Sequence, residues 1–331
     1  MIALSAWGLL LFLICFGLGY PTLNRYNPAS IPGLSDSAQY YRLVQYGPAA
    51  ATSHWKYRVL VPYLAKPIYS AARGRLGTWN PVSFALLMVN SFFCGCAAWI
   101  VSALAYRLSG VVPVSMLAAF AYLSNFAVSN YHLSGLVDSA DAFLFALLTL
   151  ALISERRALL PAIGFVAGLS KETFIPIAFV FAGTWVLSER PGNRTRRMLA
   201  AVAMAAVGTM VLMAVRSAID RTVVLPWEIV TQERSLSRWS ADNLLNAVTG
   251  WSFWLTIVWV PFVFLAARRS PKQWRFAALA GAAVALALSA WNNAPPGNSA
   301  RPVFDVLGPL FAVSFALAAE SICETYVSRK S

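Results

Sequence analysis

Lys171 and Glu172 stand side by side in a stretch from Leu160 to Leu187 that holds no other charged residue. An ionisable group at membrane depth costs at least a few kcal/mol, so it faces a cavity, a partner or a substrate rather than lipid. Consecutive helical residues point about 100° apart. The two therefore need separate partners: Lys171 offers a cation for a phosphate, while Glu172 can neutralise a nearby arginine, bind a cation or meet an acceptor. Three further carboxylates stand where apolar segments open. Asp36, in Ser35-Asp36-Ser37-Ala38-Gln39-Tyr40-Tyr41, can serve the dipole of a first helical turn or act as general base toward a hydroxyl in a dry pocket. Asp138 and Asp141, three apart, share one helix face; they either serve the dipole or form a carboxylate cluster for a divalent cation or sugar hydroxyls.

Basic groups gather in the same loops. His54, Lys56 and Arg58 fall in His54-Trp55-Lys56-Tyr57-Arg58, and Arg234, Arg238 and Arg301 follow later in the chain. Arg58 and Arg301 each immediately precede an apolar segment, where a guanidinium either grips a phosphate at headgroup level or snorkels. Carboxylates and phosphate-binding cations beside aromatic, apolar helices are what sugar transfer from a lipid phosphate requires. A base takes the acceptor's proton, fixed positive charge stabilises the departing phosphate, and no proton-donating acid is needed.

The elements that must position these residues are membrane helices. Of 331 residues, 59% are hydrophobic and 12% charged, and apolar runs of about 20 residues, enough to cross a bilayer, recur along the chain. The expected fold is all-α: a polytopic transmembrane bundle of about eight full spans plus a half-depth helical hairpin. Spans are expected at 2–20, 82–105, 112–127, 136–153, 198–215, 251–267, 276–290 and 303–322, within a single membrane domain over 1–331. The first run lacks a basic leader and a cleavage site, so it reads as a retained helix. Both Arg157 and Glu189 lie beside short basic segments, and the stretch 160–188 between them is too short to cross twice. It reads as a broken hairpin turning at Ser170-Lys171-Glu172-Thr173, with Gly164 and Gly168 allowing close packing on one arm and Pro176 early in the other.

Basic short segments at 155–157, 189–197, 268–275 and 328–330 place those ends, and both termini, in the cytoplasm of an inner (plasma) membrane. The outer loop 21–79 then carries two surface helices. The first starts at Ser35, has Tyr40, Leu43 and Val44 as its apolar stripe and stops at Gly47-Pro48; the second covers 58–71, with Leu60, Leu64 and Ile68 on one face and breaks at Pro62 and Pro67. A second outer loop, 216–250, is marked by Trp227 and Trp239. The formal charge of +13 has no soluble face to present to nucleic acid, so lipid phosphates are its natural partner. Cys94-Gly95-Cys96 lacks the spacing of a zinc site, and Cys15, Cys94, Cys96 and Cys323 read as small hydrophobes.

Two short elements carry a resemblance. Tyr57-Arg58-Val59-Leu60-Val61-Pro62 is similar to a Y-R-x-L-x-P element, and Gly168-Leu169-Ser170-Lys171-Glu172-Thr173 to a G-L-x-x-K-E element, of the GT-C class of polytopic glycosyltransferases. The architecture resembles that class over most of the chain. The resemblance implies a polyprenyl-phosphate sugar as donor, a glycan or lipid-linked acceptor on the extracytoplasmic face, Asp36 as catalytic base of an inverting transfer, and Lys171 and Arg58 as donor-phosphate contacts. Many members carry two adjacent acids where Asp36 is flanked by serines. A divalent cation, Mg²⁺ or Mn²⁺, is thus admitted but not required. A transporter or lipid flippase using the broken hairpin as a gate, and a noncatalytic subunit, are the competing readings.

Overall fold

A computed structural model describes residues 2–25, 36–188, 191–229, 258–271 and 300–328, with isolated positions between 241 and 287. Every regular element among the described residues is helical. Among the described residues, four helices are long and apolar enough to cross a bilayer: the segments Ser5–Asn24, Pro81–Ser109, Asn193–Asp220 and Phe304–Val327. The chain is a helical membrane protein on that ground. The expected spans at 112–127 and 136–153 take shape as helices of 12 and 16 residues; in that at 251–267 the described part holds a six-residue helix, Val260–Leu265, followed by a 3-10 turn, and that at 276–290 falls mostly outside the described residues.

In chain order the helices are α1 (Ile2–Gly19), α2 (Pro21–Arg25), α3 (Ser37–Tyr46), α4 (Leu60–Ala72), α5 (Pro81–Ser109), α6 (Val112–Leu123), α7 (Asp138–Ile153), α8 (Leu159–Ser170), α9 (Phe174–Leu187), α10 (Pro191–Asp220), α11 (Val260–Leu265) and α12 (Ala300–Ser328). Helix α5 is the central post. Asn80 caps it by accepting from the Val82 and Ser83 amides, Pro81 fills the first turn where a missing N–H is harmless, and Gly110, with φ of 73°, closes it. Helices α1, α4, α6, α7 and α12 pack around this post, and its polar Asn90 and Ser91 are buried within it.

The two loop helices are present. Helix α3 buries Tyr40, Leu43 and Val44, the expected stripe, and stops at Gly47 with φ of 88°. Helix α4 runs without a break through Pro67, while Pro62 falls in its first turn. Val61, Pro62 and Ala65 form its buried face; of the expected Leu60, Leu64 and Ile68, Leu60 and Ile68 are half-buried and pack on the core, while Leu64 is 45% exposed. The small residues let α4 lie close on α5.

The stretch 160–188 is two helices, α8 and α9, separated at Lys171-Glu172-Thr173, with Lys171 in extended backbone at φ −151° and ψ 132°. Helix α8 packs closely on α10. A Cβ on Gly164 would lie 2.1 Å from the Met204 carbonyl oxygen, and one on Gly168 would lie 2.6 Å from that of Gly208. Small residues spaced by four permit this backbone approach where lipid offers no competing hydrophobic drive. At one end of α10 Arg197 stacks on Trp185 at 4.6 Å and pairs with Glu155. Arg194, Arg196 and Arg197, expected in a loop, thus belong to the first turns of a helix.

Replacing Gly164 by Ala should lower stability by about 1–3 kcal/mol, because the colliding atom is backbone and cannot swing aside. Gly183→Ala, with nothing within 4 Å of its added Cβ, should be neutral or slightly stabilising. Thermal melting of the two variants in one detergent checks the contrast.

Candidate functional site

The loop between α3 and α4 is short-range helical over Ser53–Tyr57 and delivers Arg58 inward. Arg58 is 7% exposed although it is an arginine. Its Nε donates to Glu172 Oε2 at 3.2 Å, Nη2 donates to Glu172 Oε1, and Nη1 donates to the Tyr40 hydroxyl at 3.0 Å. This bidentate fork joins residues far apart in the chain and answers the question of what Glu172 faces. Both partners are buried, so removing either alone would strand a charge.

His54 lies beside this pair and within the electrostatic reach of Arg58, Glu172, Asp36 and Arg216. Burial disfavours its charged form and the Arg58 guanidinium adds to that, so its pKa is pushed down to about 4 against the weaker pull of Glu172 and Asp36. Asp36 heads α3. Its backbone carbonyl accepts from the Gln39 and Tyr40 amides, but its side chain does not cap the helix. The acid is therefore not explained as a side-chain cap. Lys56 reaches instead to the far end of α10: its Nζ donates to Asp220 Oδ1 and the Tyr57 hydroxyl donates to Asp220 Oδ2, both at 2.5 Å. Arg216, one turn earlier and 1% exposed, lies over the Tyr57 ring at 4.5 Å.

Lys171 turns the other way. Its ammonium sits 2.8 Å from Asp138 Oδ1, 3.7 Å from Asp141 Oδ2 and 3.8 Å from Asp305 Oδ2. Ser170 Oγ donates to Asp141 Oδ1 at 2.7 Å, and His132 Nε2 lies 2.8 Å from Asp305 Oδ1. His132 comes from a π-helical turn over Val128–His132, a rare form that recurs at functional sites. Asp138, Asp141, Asp305 and His132 are all buried.

Of the residues singled out in the sequence, Arg58 and Glu172 thus form one pair with His54 within its electrostatic reach, Asp36 bears on the same His54, and Lys171, Asp138 and Asp141 form a second group. Lys56 joins neither directly, being held by Asp220. Arg301 lies in the first turn of α12, with its side chain outside the described set; Arg234 and Arg238 are outside the described residues altogether. The sequence reading missed Asp305, His132, Arg216 and Asp220. Asp305 carried the same signal as Lys171, an ionisable residue inside an apolar span, and Arg216 and Asp220 are spaced by four at the end of another. His132 had no signal beyond rarity, being one of two histidines.

Compared with known proteins, the chain matches no protein-family model and no curated protein.

The depressed pKa of His54 has a consequence for stability. Between its ordinary value of 6.5 and about 4 the folded protein binds fewer protons than the unfolded chain. The His54 contribution is therefore fully present above pH 6.5 and is lost as pH falls toward 4. Melting curves over that window should show His54→Gln losing less stability on acidification than the parent protein.

Proposed function

We propose that this chain is a membrane glycosyltransferase of the GT-C kind, moving a sugar from a polyprenyl-phosphate carrier to a glycan or lipid-linked acceptor on the extracytoplasmic face. One observation supports the reading above the rest. Arg58, from the Tyr57-to-Pro62 element, is forked onto Glu172, from the Gly168-to-Thr173 element. The two short motifs on which the resemblance rests meet at one buried ion pair, beneath a loop helix that begins with Asp36.

In this reading the bundle has about eight spans with α8 and α9 as a hairpin reaching part-way into the membrane, and the loop carrying α3 and α4 lies outside. Asp36 is the base that takes the proton of the acceptor hydroxyl. Glu172 and Tyr40 fix the plane of the Arg58 guanidinium, whose remaining N–H groups are directed to the donor phosphate. Lys171 supplies a second phosphate contact by leaving its carboxylates. His54, neutral over the physiological range, adds a hydrogen-bonding group beside the base without adding charge. The exposed apolar side chains of α4, Tyr63 and Leu64 among them, offer a surface for the polyprenyl tail.

A carrier or flippase is the second reading, and the buried acids around Lys171 favour it, since such groups also mark ion and proton pathways through membranes. The two part on Asp36. Protein in lipid nanodiscs, supplied with radiolabelled polyprenyl-phosphate sugar and a lipid-linked acceptor, should transfer sugar, and Asp36→Asn should lose roughly 10²-fold or more in rate while still binding the donor. Undiminished transfer by Asp36→Asn sinks the assignment of the base. Counterflow of the labelled carrier without sugar transfer supports the transport reading instead.

A further inference from the structure

The group around Lys171 is rich in acids: Asp138, Asp141 and Asp305 face one ammonium, with His132 beside Asp305. Carboxylates at this depth cost several kcal/mol per ion unless cations meet them. Of the three acids, Asp138 is within hydrogen-bond range of the ammonium, while the 3.7 and 3.8 Å separations to Asp141 and Asp305 are too long for hydrogen bonds.

The carboxylates themselves are held as ligands are held. Asp141 Oδ1 accepts from the Ser170 hydroxyl, and Asp305 Oδ1 is hydrogen-bonded to His132 Nε2. Each thereby turns its Oδ2 toward the same central point. Asp305, 3% exposed, has an Oδ2 that accepts no hydrogen bond from any described residue and is directed at that point. Hydrogen bonds that orient a ligating group from behind are a recurring feature of metal sites. Oxygens of the three acids lie within 4.8 Å of one another. A point within about 2.8 Å of all three such atoms therefore exists, and small carboxylate rotations bring that to the ~2.3–2.6 Å of calcium–oxygen bonds. An all-oxygen, anionic donor set selects magnesium, calcium or manganese over softer metals.

We propose that Asp138, Asp141 and Asp305 form a binding site for a hard divalent cation, which enters by exchange with the Lys171 ammonium. The site is separate from Asp36 and from the Arg58–Glu172 pair, and it does not depend on the transfer reaction. The lysine stem is flexible and its side chain is 11% exposed, so the ammonium can withdraw along the edge of the cluster while remaining close enough to neutralise the charge left over.

Manganese is the probe. Protein stripped with a chelator and placed in phosphatidylcholine nanodiscs is titrated with Mn²⁺, and the free-ion EPR signal reports binding. One Mn²⁺ per chain is expected, displaced by Ca²⁺ or Mg²⁺. Asp305→Asn should weaken binding roughly tenfold or more. Lys171→Met should tighten it, because the competing ammonium is gone, and a misfolded variant cannot imitate that gain. Asp36→Asn should bind as the parent does, which keeps this outcome apart from that of the sugar-transfer assay. The absence of stoichiometric binding, indifference to Asp305→Asn, or unchanged or weaker binding by Lys171→Met overturns the proposal.

Discussion

A charge held inside a membrane bundle must be met by another, and two consecutive charged residues cannot meet each other. This constraint organises the structure around residues 171 and 172. The helix that would have carried them stops at Ser170, Lys171 adopts an extended backbone, and α9 starts at Phe174. The break sends Glu172 toward the loop that follows α3 and Lys171 toward α7 and α12. Had the helix continued, both side chains would have left it on neighbouring faces, and one charge would have lacked a buried partner. The cost of interrupting backbone hydrogen bonds is offset by two sets of ion pairs, one on each side of the turn.

The packing beneath the turn holds this arrangement in place. Helix α8 approaches α10 through Gly164, Gly168 and Gly208 closely enough that no Cβ fits at the first two positions. Helix α10 then runs on to Asp220, which holds Lys56 and Tyr57. The segment that presents Arg58 is thus anchored at both ends, by Asp220 on one side and by Glu172 on the other. On the inner side, α7 supplies two acids at a helical spacing of three and α12 supplies the third, with Tyr122 and Phe304 stacked at 6.1 Å beside it. Apolar contacts set the separations of the helices, and the ionic contacts select which side chains occupy the turn.

Much of this was legible in the residues, for identifiable reasons. Gly47-Pro48 gave the end of α3, a backbone event set locally, and the length of the apolar stretch 160–188, too short to cross twice, gave the break between α8 and α9. The anomaly of Lys171 and Glu172 was visible because nothing else in that stretch is charged. The face of α4 was legible in part: Leu60 and Ile68 pack on the core as periodicity suggests, but Leu64 is exposed and close packing on α5 buries Val61, Pro62 and Ala65 most fully. The partners of Lys171 were not legible either. Lys171 and Glu172 are adjacent in sequence, so no local pattern tells which turns toward Arg58 and which toward Asp138 and Asp305; that choice is made by contacts with other helices far along the chain. Asp305 could have been found by applying to α12 the test applied to α8 and α9.

The central claim is that Arg58 and Glu172 are one buried pair, and a double-mutant cycle addresses it most directly. Unfolding free energies are compared for the parent, Arg58→Met, Glu172→Leu and the double variant in one detergent. Each single change should cost roughly 3–5 kcal/mol by stranding the other charge, and the double change should recover most of that loss. Losses that simply add would mean that the two side chains do not share a buried contact, and the account of the turn at 171–172 would be wrong.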